Sequence, residues 1–184
     1  ESVTIGEKET AGELFDRLAI LGGELIVKAI ELVESGKAVF TPQNHEEATH
    51  CRMISKADGK IDFTKSAKEL DCFVRGMTPW PSAYTYLDGK LLKVFEVEEV
   101  TDVSTLRNVC SVLSSCNDER IKLFGIPWAL GMVLESDCKT GLVVAVGSGF
   151  EFVRLKEVQL EGAKRMSDTA FLRGRNVEIG TQLG

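Results

Sequence analysis

The chain has 184 residues, of which 43% are hydrophobic and 27% are charged, and its formal net charge is −6. This length and composition allow one substantial buried core, which excludes a disordered protein. The apolar runs, such as 142–146, are too short to span a bilayer, and no segment has the pattern of a signal peptide. We therefore expect a cytoplasmic protein with no membrane partner.

The negative charge is concentrated at the start of the chain. Residues 1–50 hold 10 acidic and 4 basic groups, whereas residues 51–184 hold 18 of each. A neutral segment can still carry a basic stripe on one face, so the net charge does not exclude a nucleic-acid partner. The chain starts at Glu1, and the apolar stub from Val3 to Ile5 has no partner strand before it. We expect a piece of a longer protein.

The cysteines and histidines do not form a metal-binding pattern. The five cysteines are odd in number and include no Cys-x-x-Cys pair, which predicts reduced, mostly buried thiols. His45, His50 and Cys51 are close in sequence, but they lack the spacing of a zinc site and a fourth ligand. We predict no metal site.

A long first helix is predicted from about Ala11 to Ser35. Thr10 and Glu13 form a Thr-x-x-Glu capping box at its start, and Gly36 stands where a C-terminal cap is expected. Its apolar residues recur at helical spacing, namely Leu14, Leu18, Leu21, Leu25, Ile26, Ala29, Ile30 and Val33. Residues 41–60 then lose this periodicity and are interpreted as a linker.

A second helix and a proline-rich segment follow the linker. The helix is predicted to start after Ile61-Asp62-Phe63 with Thr64 as its N-cap, and to end at Gly76. Pro79 forbids its continuation, and the residue before each proline favours extended backbone. The pattern therefore predicts a stiff approach to a strand, with Trp80 as an apolar anchor in the core.

The rest of the chain reads mainly as strands. Asp88-Gly89 between Ala83–Leu87 and Leu91–Val97 is the signature of a type I′ hairpin. Further strands are predicted at about Leu130–Glu135, Leu142–Val146, Phe150–Val158 and Val177–Ile179, with a last helix near Ser167–Leu172. We interpret Asp102–Trp128 as a long loop or an extra hairpin. Five or six short strands with glycine-rich turns favour a small barrel of the oligonucleotide-binding type.

Several short motifs occur in a fixed order that names a family. They are Glu9–Leu14, Asp58–Phe63, Arg75–Tyr84, Asp88–Val94, Gly162–Ser167 and Phe171–Arg175. In this order they resemble the C-terminal part of the methionyl-tRNA formyltransferase family, over nearly the whole chain. Phe63 stands where the family usually has tryptophan, Ser82 where glycine is frequent, and the Asp102–Trp128 segment is longer than usual.

The resemblance implies an enzyme whose active site lies elsewhere. The family transfers the formyl group of 10-formyltetrahydrofolate to the amino group of methionine on initiator tRNA. Its catalytic asparagine, histidine and aspartate belong to a Rossmann-like domain upstream of the matched segment. His45 and His50 lie outside any such motif, so this chain has no candidate catalytic residue. We expect the isolated chain to be inactive and to bind no cofactor itself.

The resemblance also implies a domain organisation. Residues 1–40 are expected to be the C-terminal helical end of the catalytic domain, residues 41–60 a linker and residues 61–184 the C-terminal domain. The expected fold is mainly β with helices: a small oligonucleotide-binding-like β-barrel, preceded by a long helix left over from the Rossmann-like domain.

The expected partners are initiator methionyl-tRNA, without DNA, and the missing N-terminal catalytic domain. Binding of tRNA requires cations for its phosphates. The candidates are Lys56, Lys60, Lys90, Lys93, Lys164, Arg165, Arg173 and Arg175. Lys164 and Arg165 form the strongest local signal, because they are adjacent cations in a loop. Lys90 and Lys93 are three apart and should face opposite sides of a strand.

Two other interpretations stay open on the sequence. The chain is similar to the barrels of folate-dependent formyltransferases and hydrolases that do not act on tRNA. The second interpretation is a free-standing RNA-binding barrel with no enzyme attached.

Overall fold

The computed structural model describes residues 1–102, 104, 106 and 128–184. Most of the predicted loop or hairpin at Asp102–Trp128 therefore lies outside the described residues. The α-helices of the described residues are α1 (Ala11–Glu34), α2 (Ala67–Met77) and α3 (Asp168–Gly174). The strands are β1 (Ala83–Leu87), β2 (Lys90–Glu99), β3 (Val133–Asp137), β4 (Gly141–Val146), β5 (Glu151–Leu160) and β6 (Met166–Ser167). The predicted mainly β fold with helices is confirmed.

The strands form one antiparallel sheet in the order β1-β2-β5-β4-β3, with β6 paired to β5. The last residues of the chain run between the two ends of this order. The Val133 N–H donates to the Thr181 carbonyl at 2.8 Å, and the Gly184 N–H donates to the Tyr86 carbonyl at 3.1 Å. The named strands β1 and β3 do not pair with each other, so a closed barrel is not confirmed by the strand order.

The hairpin between β1 and β2 is confirmed. Its two turn residues, Asp88 and Gly89, have φ angles of 51° and 74°. Positive φ at both positions is what a type I′ turn requires, and this turn matches the right-handed twist of the flanking strands. The register that results pairs Leu87 with Lys90 and Tyr84 with Lys93.

The core lies between the inner face of the sheet and the helices α2 and α3. Leu70 and Val74 from α2 and Phe171 from α3 pack with the strand residues Leu92 and Val158. All five are at most 8% exposed. A smaller apolar cluster lies apart from it and contains Leu106, Leu134, Val143, Ala145 and Phe152.

Helix α1 is set off from this core. The predicted capping box of Thr10 and Glu13 is present, and Gly36 has a φ angle of 68° just beyond the helix. None of its 24 residues is buried. Contact with the rest of the chain is at its start, where the Gly12 N–H donates to the Thr78 carbonyl at 3.1 Å. None of the helices in the described part of the chain is long and apolar enough to cross a membrane.

Two predictions around α2 are wrong. Ser66, not Thr64, caps the helix, because Ser66 has Glu69 three residues later and the two form a capping box. Thr64 donates its hydroxyl to Asp62 instead, at 2.7 Å. Trp80 is 58% exposed and is not a core anchor. Residues 79–81 form a turn held outside the sheet, and the Ser82 N–H closes it on the Met77 carbonyl at 2.9 Å.

Two further predictions differ from the structure. Residues 177–179 form no strand; Val177 is buried, but the backbone turns there before pairing with β3 through Thr181. Cys51, Cys72 and Cys138 are free but exposed, because they lie in the irregular segment between α1 and α2, on the outer side of α2 and in the turn after β3. The other two cysteines lie outside the described residues.

Candidate nucleic-acid interface

The strands β1 and β2 present a solvent-facing side opposite the core. Leu87 and Leu92 are fully buried on the inner face, whereas Tyr84, Tyr86 and Lys93 alternate with buried residues and are half-buried. This alternation follows from the two-residue period of a strand. Three side chains that can bind a ligand are therefore placed on the same side of the sheet.

Four residues from neighbouring segments lie side by side on this outer side. Lys60 pairs with Tyr84, Tyr84 pairs with Lys93, and Lys93 pairs with Gln159. Directly paired residues point to the same face, and neighbouring segments are about 4.8 Å apart. We call Lys60, Tyr84, Lys93 and Gln159 the outer row.

The loop that carries Lys164 adjoins one end of the outer row. The Gln159 side-chain amide donates to the Ala163 carbonyl at 2.9 Å, and the Ala163 N–H donates to the Leu160 carbonyl at 2.9 Å. These bonds hold the loop against the end of β5, so exposed Lys164 continues the outer row. Three of the predicted cations, Lys60, Lys93 and Lys164, are thus brought together by the fold.

The predicted cations differ in whether they are already paired. Among the described residues, six have no ion-pair partner within 4 Å: Lys56, Lys60, Lys90, Lys93, Lys164 and Arg173. Their charges are available to an anionic ligand.

Arg165 and Arg175 are paired within the chain. Arg165 binds the Glu157 carboxylate and lies over the Phe95 ring, 4.2 Å from its centroid. Arg175 donates to Asp88 at 2.9 Å, in the turn between β1 and β2. The adjacent Lys164 and Arg165 are therefore different in kind, because Lys164 is unpaired and Arg165 anchors the loop to the sheet. Their adjacency in sequence could not show this difference.

The remaining unpaired candidates are not aligned with the outer row. Lys90 follows the hairpin turn and is three residues before Lys93 in β2. The two lysines therefore face opposite sides of the strand, as predicted, with Lys90 on the side of the inner face. Lys56 belongs to a 3₁₀ turn, Lys56–Gly59, that leads into Lys60. Arg173 lies in the last turn of α3.

An ion pair between the buried Asp168 and the partly exposed Arg154 fixes α3 on the sheet. The Arg154 Nε donates to Asp168 Oδ2 at 2.7 Å, and the Leu142 N–H donates to the same oxygen at 3.1 Å. Asp168 is 1% exposed, and its hydrogen bonds raise the pKa of the Arg154 guanidinium above its usual value. This contact ties α3 to β4 and β5 and so sets where Arg173 lies.

Sequence reasoning missed the flat side chains of this face. Tyr84 and Tyr86 form an edge-to-face pair with ring centroids 5.9 Å apart and an interplanar angle of 87°. The two tyrosines are two residues apart in a predicted strand, and residues at this spacing face the same side. The sequence therefore contained a signal that could have placed both rings on one face of the hairpin.

A groove lies elsewhere, where the start of α1 meets α2, β2 and β5. It encloses about 430 Å³. Its charges are paired across it, as in Lys8 with Asp71 at 3.3 Å and Lys156 with Glu96 at 2.9 Å. Within the described ranges, no group of three or more histidine, cysteine or acidic side chains is placed to hold a metal ion.

The fold and this face define a mainly β domain with a basic, aromatic sheet surface. Residues 53–176 match the family model described as "Formyl transferase, C-terminal domain". The chain belongs to this family, and the resemblance found in its motifs is confirmed.

The curated relatives support the same assignment. The chain is 40% identical over 184 residues to a methionyl-tRNA formyltransferase of Lachnospira eligens, covering 100% of the chain and 52% of that protein. It is 38% identical over 182 residues to a methionyl-tRNA formyltransferase of Bacillus cereus, covering 99% and 50%. The chain thus spans about half the length of the curated relatives it matches.

Solved structures show the fold alone. Crystal structures of HypX from Aquifex aeolicus, one of them in complex with tetrahydrofolic acid, align with a TM-score of 0.50 at 16% identity. The alignment with that complex covers 86% of this chain and 26% of HypX.

Proposed function

We propose that the chain is the C-terminal, tRNA-recognising part of a methionyl-tRNA formyltransferase that acts in translation initiation in the cytoplasm. The parent enzyme would transfer the formyl group of 10-formyltetrahydrofolate to the amino group of methionyl initiator tRNA. The names of the curated relatives, and the share of them that the chain covers, support this proposal.

The observation that carries tRNA recognition is the set of unpaired lysines along the outer row. Lys60, Lys93 and Lys164 lie on one side of the sheet, with no ion-pair partner in the described part of the chain. A lysine that neutralises a phosphate releases a condensed counterion, which gives affinity that falls with salt. Lys56, Lys90 and Arg173 are further proposed phosphate contacts outside the outer row. Arg165 and Arg175 are also proposed to contact the tRNA, although each is paired with a carboxylate of the chain.

The proposed domain division agrees with the exposure of α1. Residues 1–40 would complete a catalytic domain, and several apolar side chains of α1 that lie at the surface here, such as Phe15 at 72% and Ile20 at 68% exposed, would pack there. Residues 41–60 would be the linker, and residues 61–184 an oligonucleotide-binding-like barrel. Thr181 and Gly184, which bond to β3 and β1, would complete that barrel.

Catalysis is assigned to the other half of the parent enzyme. His45 and His50 are exposed in the proposed linker, and charged groups of the groove at the start of α1, such as Lys8 with Asp71, pair with one another. We expect the isolated chain to transfer no formyl group and to bind no folate, which is the co-substrate of the parent enzyme.

The test is the affinity of the chain for initiator tRNA over a series of salt concentrations. The variant replaces Lys60, Lys93 and Lys164 with glutamine. A matched control replaces Lys28, Lys37 and Lys139, which are exposed and lie in or just after α1 or in the β3–β4 turn. Both variants lose three positive charges, so a difference in tRNA affinity between them depends on where the lysines lie and not on the net charge.

The expected result is that affinity falls with salt and that the outer-row variant has a shallower salt dependence, by about one unit of slope per lost phosphate contact. The control should keep the parental slope. Absence of tRNA binding at low salt would favour the barrel of a formyltransferase or hydrolase that does not act on tRNA. Binding of RNA by a gene product that encodes no catalytic half would favour a free-standing RNA-binding barrel.

A further inference from the structure

The tyrosine pair, Tyr84 and Tyr86, is the feature of the outer side that phosphate binding does not explain. Both rings are half-buried on the solvent-facing side of β1, and the core is built without them. Neither hydroxyl has a hydrogen-bond partner among the described residues. The pair therefore offers aromatic surface and two unused phenol groups beside the outer row.

The cations and the rings are arranged for a nucleotide rather than for phosphates alone. Lys60 and Lys93 are the register partners of Tyr84 on its two sides. A ring with a cation on each side fits a base that stacks on it while the flanking phosphates contact the lysines. The combination of basic groove and aromatic platform is the general solution for single-stranded nucleic acid.

Three carboxylates near this face are paired with arginines of the chain. They are engaged within the chain: Asp58 by Arg52, Asp88 by Arg175, and Glu157 by Arg165. Glu161, at the edge of the face, accepts the Leu91 N–H at 3.3 Å. The unpaired lysines of this side are thus not neutralised by these carboxylates.

We infer that the tyrosine pair stacks on one unpaired nucleotide of the bound RNA, with Lys60 and Lys93 on its flanking phosphates. This inference rests on the proposed function and specifies which kind of RNA segment meets the sheet. A base inside a duplex is covered on both faces by its neighbours, whereas an unpaired base exposes a face to a flat side chain. The ligand is therefore a loop, a bulge or a single-stranded end.

The geometry also limits the number of stacked bases. The two rings are nearly perpendicular, at 87°, so a base lying flat on one ring meets the other edge-on. One base is stacked per tyrosine pair. One ring should therefore make most of the stacking contact with the base, and the other ring should contact the edge of the base.

The experiment uses a single-stranded hexaribonucleotide with one 2-aminopurine, whose fluorescence is quenched by stacking. The same strand annealed to its complement is the duplex probe. The variants are Tyr84→Leu and Tyr86→Leu, with Tyr84→Phe and Tyr86→Phe as ring-preserving controls. Phe150→Leu, at an exposed aromatic residue in the β4–β5 turn, is the matched control for loss of a ring elsewhere.

We expect the parent protein to quench the fluorescence of the single-stranded probe and not that of the duplex probe. One of the two leucine variants should bind the single strand roughly 5- to 100-fold more weakly than the parent. The other leucine variant should lose less, and the phenylalanine variants and Phe150→Leu should keep the quenching. The salt slope should stay unchanged in the tyrosine variants, because the phosphate contacts stay.

The inference is overturned if both leucine variants bind and quench like the parent. It is also overturned if the duplex binds equally well, or if the hexaribonucleotide does not bind at low salt. If a thermal melt shows that a leucine variant is unfolded, the test uses the parent and the phenylalanine variants instead. Quenching in all of them supports stacking on the rings, and its absence in the parent rejects it. If initiator tRNA binds but the fluorescence of the bound hexaribonucleotide is not quenched, the stacking is rejected and the proposed function stays intact. Absence of tRNA binding would reject both.

Discussion

The helices α1 and α2 begin in the same way and end up in different environments. Each starts with a capping box, Thr10 with Glu13 and Ser66 with Glu69. The 11 residues of α2 bury Ala67, Leu70 and Val74, whereas the 24 residues of α1 bury none. Local signals are enough to define where a helix begins, but tertiary packing decides how much it contributes to the stability of the domain.

The most disruptive test of this comparison is the same leucine-to-alanine change in both helices. Leu70 is 2% exposed, so Leu70→Ala should lower the free energy of unfolding by about 3 kcal/mol through lost burial and a cavity. Leu18 is 45% exposed, so Leu18→Ala should change it by about 0.5 kcal/mol or less. Urea denaturation measures both. Equal losses would show that α1 is packed on the domain as tightly as α2.

The ion pairs of the two regions provide a second test. Asp168→Asn breaks the pair with Arg154 at a site that is 1% exposed, and we expect a loss of about 2 kcal/mol. Arg17→Gln removes the pair with Glu9 next to α1, where the Arg17 side chain is 47% exposed, and should cost about 0.5 kcal/mol or less. Thermal unfolding of both variants would reveal the difference. A negligible effect of Asp168→Asn would mean that α3 is held without this contact.

The caps sharpen the comparison further. Ser66→Ala should lower the free energy of unfolding of the domain by about 1 kcal/mol, since α2 is part of the core. Thr10→Ala removes an equivalent cap, but its effect should appear as faster amide exchange in the first turns of α1 with little change in global unfolding. If Thr10→Ala destabilised the whole domain as much as Ser66→Ala, the two helices would unfold as one unit.

The smallest expected effect is a dependence on acid pH. The Ser66 backbone N–H and hydroxyl lower the pKa of the Glu69 carboxyl. As the pH falls, Glu69 is therefore protonated in the unfolded chain before it is protonated in the folded chain. The stabilisation that ionised Glu69 gives above about pH 4.5 is lost as the pH falls through the pKa of the folded state. Glu69→Gln should flatten the stability profile of the domain below pH 4.5. The matched Glu13→Gln change in α1 should leave that profile unchanged.

Much of the fold was readable because local rules act over short distances. The capping box at Thr10, the left-handed Gly36 and the Asp88-Gly89 turn depend on a few neighbouring residues, and all three are present. Trp80 was placed wrongly in the core because apolar character predicts burial only on average. Which large side chain fills a core depends on partners distant in sequence.

The candidate site was less predictable for a related reason. A sequence reveals cations, but it does not reveal which of them are already neutralised by acids distant in the chain. Arg175 pairs with Asp88 across 87 positions, and nothing near Arg175 in sequence indicates this. The alignment of Lys60, Tyr84 and Lys93 depends on the register of segments that join only in the folded sheet.

The central claim is that the outer side of β1 and β2, and not α1, meets the RNA. Amide hydrogen exchange of the chain, with and without saturating initiator tRNA, tests it most directly. We predict that protection rises in β1, β2 and the loop around Lys164, and that α1 and the β3–β4 turn stay unchanged. Protection concentrated in α1, with none on the outer row, would contradict this account.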